Sequence, residues 1–596
     1  MRFDAKQLKE MSMSVRAHAI DAVRRAGSGH VGIVLDASDI ITTVYANFLR
    51  RGRDWFVLSA GHGSAMLYAV LKLAGYKIGD LDTFRQLGGL PGHPEYGIDG
   101  VYATTGPLGQ GIGNAVGMAL AEKIRGTDGV VYCLCSDGDL MEGVAAEAIA
   151  VAGLYKLNNL VLVWDDNGYS IDGVALVDID MLARMRAAGW NVVQCAGDNF
   201  NAINRALGGA QKKSSEPTFI VAHNVIGRGS SLADSARAHG MEFGDAEMML
   251  LVEKNISPLG DVLWQDVANS DDTDAREFDA SHIDVFNVVA PNLGDVASTR
   301  ELSGEYITAL INAGVKLIGG SADLGHSTCV KTSASIDIQP DNYSGNYLNY
   351  GVREHAMGAI MNGMAATGLR PYGSTFLVFS DYMRPAIRLA ALSGLPVIYV
   401  FTHDSIAVGP DGPTHQPVEQ LASLRLIPNL NVYRPCNGDE VAYAWRSAIN
   451  NVDSPSAIIL SRQKFNQIPS PAGVDMSRGA YIIMPATARR VRVTIIATGA
   501  EVPLAVAVAE KLGDAVQVVS MPSVADFRAQ DDDYKNKILA GYVVVIEAGV
   551  SASWFEFADA VVGIDSFGVS GAGGDVYAYC GFDPDTISRD ILKKLK

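Results

Sequence analysis

Short apolar runs alternate with helix-favouring stretches along most of the chain. Val130–Leu134 reads as a fully buried strand ending at Asp137-Gly138. The alanine-rich Met141–Tyr155 predicts a helix, and Leu160–Trp164 a second buried strand. Strand, helix, strand with short turns is the pattern of a parallel α/β sheet, whose strands are covered on both faces and so are apolar throughout. The rhythm returns at Leu317–Ile318, Pro396–Phe401, Ser456–Leu460, Thr494–Ala497 and Val543–Ile546. No repeat of 20–50 residues underlies it.

Two stretches break the rhythm. Residues 262–299 are polar and acidic around Asn269–Asp274, and Pro469–Gly473 is rich in proline. The chain is therefore expected to hold three α/β domains with mostly parallel sheets. Their expected bounds are 1–265, then a linker 266–296, then 297–468 and 469–596.

Composition narrows the classes of function. The 596 residues carry 48 Lys+Arg against 66 Asp+Glu, a net charge of −18, with 48% hydrophobic and 19% charged residues. That balance excludes intrinsic disorder. No basic stripe offsets the acidic total, which argues against nucleic-acid binding. No apolar run approaches the ~18 residues that span a bilayer, so no membrane partner is expected. Met1–Ile20 lacks the apolar core of a signal peptide. Six cysteines stand at 133, 135, 195, 329, 436 and 580 without a CxxC pair, as expected of reduced thiols in a cytoplasmic protein.

Gly106-Pro-Leu-Gly109-Gln-Gly111-Ile-Gly113 opens a helical pattern and superficially matches a dinucleotide fingerprint. Asn114 occupies the third-glycine place, and no clear buried strand comes immediately before. What survives is general: glycines at a helix start let backbone N–H groups approach an anion. A stronger signal is Ser136-Asp137-Gly138-Asp139-Leu-Met-Glu142, followed about 30 residues on by Asp165-Asp166-Asn167-Gly168-Tyr169. Adjacent parallel strands would bring Asp137 and Asn167 to one carboxyl edge, where ligands of α/β sheets bind. A carboxylate, an amide oxygen and a backbone carbonyl are hard ligands suited to Mg²⁺, and Ca²⁺ accepts the same set.

Here the residues carry a family resemblance. The G-D-G…D-N pattern resembles the thiamine diphosphate motif. Ser28-Gly-His30, Ser59–Gly63, Pro91–Glu95, Thr104–Gly111, Gly351–Glu354, His403-Asp-Ser405, Asp411–Pro417 and Ser461-Arg-Gln463 resemble transketolases in their order. The resemblance spans nearly the whole chain. It implies reversible transfer of a two-carbon ketol unit from a ketose phosphate to an aldose phosphate through the thiamine carbanion. It also implies a homodimer with active sites at the subunit interface.

Residue roles follow from the resemblance. Asp137, Asn167 and the Tyr169 carbonyl would hold Mg²⁺. His62, Gly106, Leu108, Gly138, Glu142 and His239 would line the cofactor. Glu354 would bond the aminopyrimidine, and Phe376, Phe379 and Tyr382 would form its aromatic pocket. His403 and Asp411 would meet donor hydroxyls, and His30, His93 and His415 the hydroxyl or carbonyl of the aldehyde carbon. Arg300, Ser327 and Arg462 would cradle the sugar's phosphate. His239 is counted with His30, His93, Glu354, His403 and His415 in the catalytic set.

Several positions depart from the family pattern: Ser136 for a glycine, Val31 for a proline, His223 for a lysine, Ala236 for a histidine and His355 for a phenylalanine. None removes a proposed catalytic group, but substrate preference is less legible than reaction class. The sister thiamine enzymes dihydroxyacetone synthase and deoxyxylulose phosphate synthase are the nearest alternatives. An inactive transketolase-like regulator is another, although it would be expected to lack Asp137, Glu354 or the histidines.

Overall fold

The computed structural model describes residues 2–175, 180–211, 215–240, 243–268 and 285–595. The core of the expected linker, 269–284, lies outside them. Two compact units emerge. The first comprises Met1–Asp279 with Gln339–Ser344 and Ala359–Gly368. The second comprises Ala280–Ile338, Gly345–Gly358 and Leu369–Lys596.

The first unit is built on a five-stranded sheet. Its strands are β1 (Trp55–Leu58), β2 (Val131–Ser136), β3 (Leu160–Asp166), β4 (Asn191–Ala196) and β5 (Thr218–His223), in the order β1-β2-β3-β5-β4. Every pairing is parallel. β1 and β2 are buried at every residue, as strands covered on both faces must be. β4, at the edge, is mostly half-exposed, so its sequence carries no continuous apolar run.

The second unit holds two larger sheets. A two-residue strand β6 (Val296–Ala297) precedes β7 (Gly319–Ser321), β8 (Tyr347–Asn349), β9 (Tyr372–Phe376), β10 (Ile398–Thr402), β11 (Asn431–Tyr433) and β12 (Ser456–Leu460). The last six form one parallel sheet in the order β11-β12-β10-β9-β7-β8. β13 (Phe465–Asn466) returns antiparallel to β6. The last sheet contains β14 (Tyr481–Met484), β15 (Val493–Ala497), β16 (Val516–Ser520), β17 (Tyr542–Ile546) and β18 (Ala560–Val562), ordered β14-β16-β15-β17-β18. There β14 alone runs antiparallel. Mixed α/β architecture with mostly parallel sheets is what the alternation of apolar runs predicts.

Local differences have local causes. The helix expected over Met141–Tyr155 is Gly143–Leu154, and a short helix, Asp137–Met141, precedes it across the extended Glu142. The strand expected at Leu317–Ile318 falls at Gly319–Ser321, where pairing with β8 begins. All six cysteines are free thiols. Among the described residues no helix is long and apolar enough to cross a membrane.

Candidate active site

Sheet register brings the sequence-distant motifs together. β2 and β3 pair with Ser136 opposite Asp165, so Asp137 and Asn167 emerge side by side at the carboxyl edge of the first sheet. Ser136 needs no glycine. Its backbone is extended (φ −111°, ψ 173°), and it caps the helix Asp137–Met141 reciprocally with Asp139.

Asp137 is buried, and its Oδ2 has no hydrogen-bond partner. Burial, then repulsion from Asp165 and Asp166, pushes its carboxyl up to about 7. Such an oxygen is unfavourable bare and suits a divalent cation. Asn167 presents the matching amide. Its Nδ2 donates to Asp36 (3.2 Å) and Asp165 (3.1 Å), which leaves Oδ1 as the acceptor end, already receiving the Tyr169 N–H at 3.2 Å. Burial raises both Asp36 and Asp165 above the usual carboxylate range, with repulsion from Asp165 adding to it at Asp36 and from Asp166 at Asp165. Gly138 lies so close to Leu108 that a Cβ there would come within 2.9 Å of Leu108 Cδ1. The donor set and the close backbone fit a metal–diphosphate group.

The glycine loop is tied to this edge through Asp139. Its Oδ1 accepts from the Gly109 N–H and the Ser59 hydroxyl, both at 2.7 Å, while Oδ2 accepts from the Ser136 N–H at 2.9 Å. Gly109, at φ +77°, starts the helix Gln110–Arg125 without a strand before it. Glu142 is exposed at the break between the two helices.

Four histidines meet above the same edge. The rings of His62 and His239 are stacked with centroids 4.9 Å apart. His30 lies 5.2 Å from His62, 5.5 Å from His239 and 6.4 Å from His93. Gly106 borders His93: a Cβ there would be 3.2 Å from the ring. Burial is the main reason that all four lose basicity, with their mutual repulsion adding to it at His30 and His62; His30 falls to about 4. They are neutral imidazoles near neutral pH.

In the second unit, β9 and β10 pair with Phe376 opposite Thr402, so His403 follows directly beside Phe376. The two rings are stacked at 3.7 Å, and Phe379 (5.8 Å) and Tyr382 (6.0 Å from Phe379) continue the series. His415 meets Phe379 edge-on at 5.3 Å. One face of Phe376 is thus taken by His403, which an aromatic run read from sequence does not reveal. His403 has the left-handed backbone rare for a non-glycine (φ +61°) and is 3% exposed. Burial, helped by Arg300, Arg462 and His415, holds its imidazole down at about 3.

Its neighbour Asp404 is fixed by the fully buried Arg434, at 2.7 Å. Arg434 also pairs with Glu501 and reaches Glu547 at 3.8 Å. Glu354 begins the helix Glu354–Ala366, 8% exposed, and accepts from the Thr375 hydroxyl at 3.0 Å.

Arg300 and Arg462 are brought to one place by a latch between the residues before them. Thr299 N–H donates to the Ser461 hydroxyl (3.0 Å), and Ser461 N–H donates to the Thr299 hydroxyl (2.8 Å). Arg300 donates to the Ser327 carbonyl at 2.5 Å, and its buried Nε has no partner. Arg462, Ser327 and Asp411 are exposed. Among the departures, His223 pairs with Asp166 at 2.6 Å beside the edge that carries Asp137 and Asn167, and Val31 and His355 sit in or against helices that start at Gly32 and Glu354.

Asp36, Asp139 and Arg434 are site-organising residues that motif reading passed over. Asp139 was within reach, since it lies inside the quoted motif. Asp36 and Arg434 have no local signal: their partners are 131 and 30 residues away or more.

Comparisons with known proteins agree with this layout. Residues 7–258 match the transketolase thiamine diphosphate binding domain, 295–467 the transketolase pyrimidine binding domain and 479–583 the transketolase-like C-terminal domain. A transketolase of Geobacillus stearothermophilus is 40% identical over 98% of this chain and 99% of its own, and one of Aquifex aeolicus 39% over 99% and 95%. Among solved structures, a transketolase from Leishmania mexicana superposes with a TM-score of 0.92 at 34% identity over 98% of this chain and 96% of its own. A Pichia stipitis transketolase in complex with sedoheptulose 7-phosphate does so with 0.88 at 34% over 99% and 97%.

Proposed function

The chain belongs to the transketolase family, and we propose that it moves a two-carbon ketol group between sugar phosphates at a site built from the residues described above. It is a transferase with thiamine diphosphate-binding domains. The observation that best supports the site is the pairing of a buried, unpartnered Asp137 oxygen with the oriented amide of Asn167 on adjacent strand ends.

In this reading Asp137, Asn167 and the Tyr169 carbonyl hold Mg²⁺. Gly106, Leu108, Gly138, Glu142, His62 and His239 surround the diphosphate and thiazolium. Glu354, steadied by Thr375, meets the aminopyrimidine, and Phe379 and Tyr382 extend the aromatic wall begun by Phe376. When bound, thiamine diphosphate supplies the nucleophilic carbon and the electron sink for breaking the C2–C3 bond of a ketose.

The chain's own groups bind, orient and move protons. Neutral His403, pressed on Phe376, offers a ring nitrogen to a donor-sugar hydroxyl, with Asp411 accepting from a second. Neutral His30 and His93, with His415, hold or take the proton at the oxygen that becomes the aldehyde. Arg300 and Arg462, beside Ser327, carry the charge of the substrate's phosphate. The site is completed between two copies of the chain. The domains run 1–265, 297–468 and 469–596, and the free thiols suit the reducing cytoplasm.

An assay with xylulose 5-phosphate, ribose 5-phosphate, Mg²⁺ and thiamine diphosphate is expected to form sedoheptulose 7-phosphate. Absence of that product would overturn the reading.

A further inference from the structure

The stretch that carries Asp411 and His415 is held from the far end of the sequence. Gln416 is buried at 3% exposure. Its side-chain amide donates to the carbonyls of Ile406 (3.1 Å), Gly409 (3.1 Å) and Val569 (3.0 Å). The first two acceptors close the loop on itself. The third belongs to the segment between β18 and the helix Gly573–Tyr579.

Backbone meets backbone along this contact. A Cβ on Gly409 would lie 2.9 Å from the Gly571 oxygen, one on Gly412 2.3 Å from Ser570 Oγ, and one on Gly573 2.6 Å from the Ala407 oxygen. Gly409 and Gly412 also have φ of +79° and +75°, so both conformation and space exclude a side chain there. Next along the segment, the Tyr577 hydroxyl lies 3.0 Å from the Ser405 hydroxyl and donates to Glu501 at 2.6 Å. Glu501 is the partner of Arg434, which holds Asp404. From Ser405 to Gln416 the loop has one short 3₁₀ turn, Ile406–Val408, and no other regular structure. Its shape therefore depends on what it packs against.

We propose that residues 566–577 form a positioning brace for sugar recognition, setting Asp411 against a donor hydroxyl and His415 against the oxygen that becomes the aldehyde, without touching the substrate. The proposal rests on the assignment of His403, Asp411 and His415 to the sugar. It gives the C-terminal domain a part in the reaction. Displacement of reacting groups by an ångström costs up to about a hundredfold in rate, so a brace at this distance is felt in catalysis.

Gly568 provides the test. A methyl group there would lie 2.1 Å from Gln416 Oε1 and 3.0 Å from its Cδ, so the amide must leave its three carbonyls. Gly568 has no left-handed backbone, so Gly568→Ala adds no strain of its own. Tyr577→Phe removes one hydroxyl and is the second variant should the first fold poorly.

Both variants are expected to raise KM for the ketose phosphate, roughly tenfold for Gly568→Ala. The affinity of the apoenzyme for thiamine diphosphate with Mg²⁺, read by fluorescence titration, should not change. Phe527→Leu, in a separate apolar cluster of the same domain, should lower Tm and leave KM unchanged, separating positioning from mere stability. Wild-type KM in both brace variants, with KM raised in His403→Ala, would overturn the brace while the sugar assignment stands. Unchanged KM in His403→Ala would overturn the assignment and the brace with it.

Discussion

The imidazole of His403 lies on the ring of Phe376 with centroids 3.7 Å apart and planes 27° apart. The contact follows from register, because Thr402 pairs with Phe376 and His403 is the next residue. It also sets the titration of the site. Buried against Phe376, with Arg300 and Arg462 nearby, the ring does not hold a proton until the pH falls to about 3.

That gives a pH dependence with a definite sign. The unfolded chain takes up a proton on His403 near the ordinary value of about 6.5, and the folded chain near 3. Stability contributed by the neutral ring is therefore complete above ~6.5 and is lost as the pH falls toward 3, by up to about 1.4 kcal/mol per pH unit. Thermal unfolding followed from pH 7 to 5 should show this decline. His403→Gln, which cannot titrate, should show a shallower one.

Asp139 satisfies the Gly109 and Ser136 amides and the Ser59 hydroxyl. With the Ser136 hydroxyl, which also donates to Asp139, Asp139→Ala takes the partner from four donors, and each one left unpaired costs about 1–3 kcal/mol. The expected result is a loss of roughly 3 kcal/mol or more in denaturant unfolding, together with weaker thiamine diphosphate binding. An unaltered midpoint would show that the glycine loop is held by other contacts.

Mg²⁺ with thiamine diphosphate should stabilise the apoenzyme by mass action, by about 2.7 kcal/mol at a hundredfold excess over Kd. Asp137→Ala should abolish the rise in Tm that accompanies loading, and chelation of the wild-type holoenzyme should reverse it. A full shift in the variant would remove Asp137 from the metal site.

Arg434 is fully buried among Asp404, Glu501 and Glu547. Arg434→Met should cost about 3–5 kcal/mol, since it leaves buried carboxylates without their counter-charge. Calorimetry of the purified variant measures the loss, and KM for the ketose should rise with it because Asp404, which Arg434 holds, is next to His403 in the chain.

Arg462→Ala is expected to raise KM for phosphorylated ketoses by roughly 10- to 100-fold, the worth of a lost charge-assisted hydrogen bond. KM for an unphosphorylated ketose should stay where it is. Equal effects on both substrates would assign Arg462 to the fold.

Much of this architecture can be read from residues. β12, β15 and β17 stand out because central parallel strands are buried and so largely apolar. Several of the family motifs, among them Ser59–Gly63, Ser136–Glu142, Asp165–Tyr169, His403–Ser405 and Ser461–Gln463, lie at strand ends, where sheet edges gather them. Other elements are silent for physical reasons. β4 is half-exposed, and β9 is Tyr-Gly-Ser-Thr-Phe, polar in composition though buried. Asp36 looks like an ordinary helix residue until Asn167 is placed against it. Such residues act through tertiary contacts that no local spacing encodes.

The latch between Thr299 and Ser461 has a consequence in time. The two residues are separated by 162 positions. At a synthesis rate of about 5–20 residues per second, Arg300 leaves the ribosome roughly ten to thirty seconds before Arg462. Throughout that interval Arg300 exists without Arg462. The pair is assembled only when β12 inserts beside β10 and delivers Ser461 to the helix start. If the two arginines hold a sugar's phosphate as proposed, that capacity marks the moment at which β12 joins the second sheet.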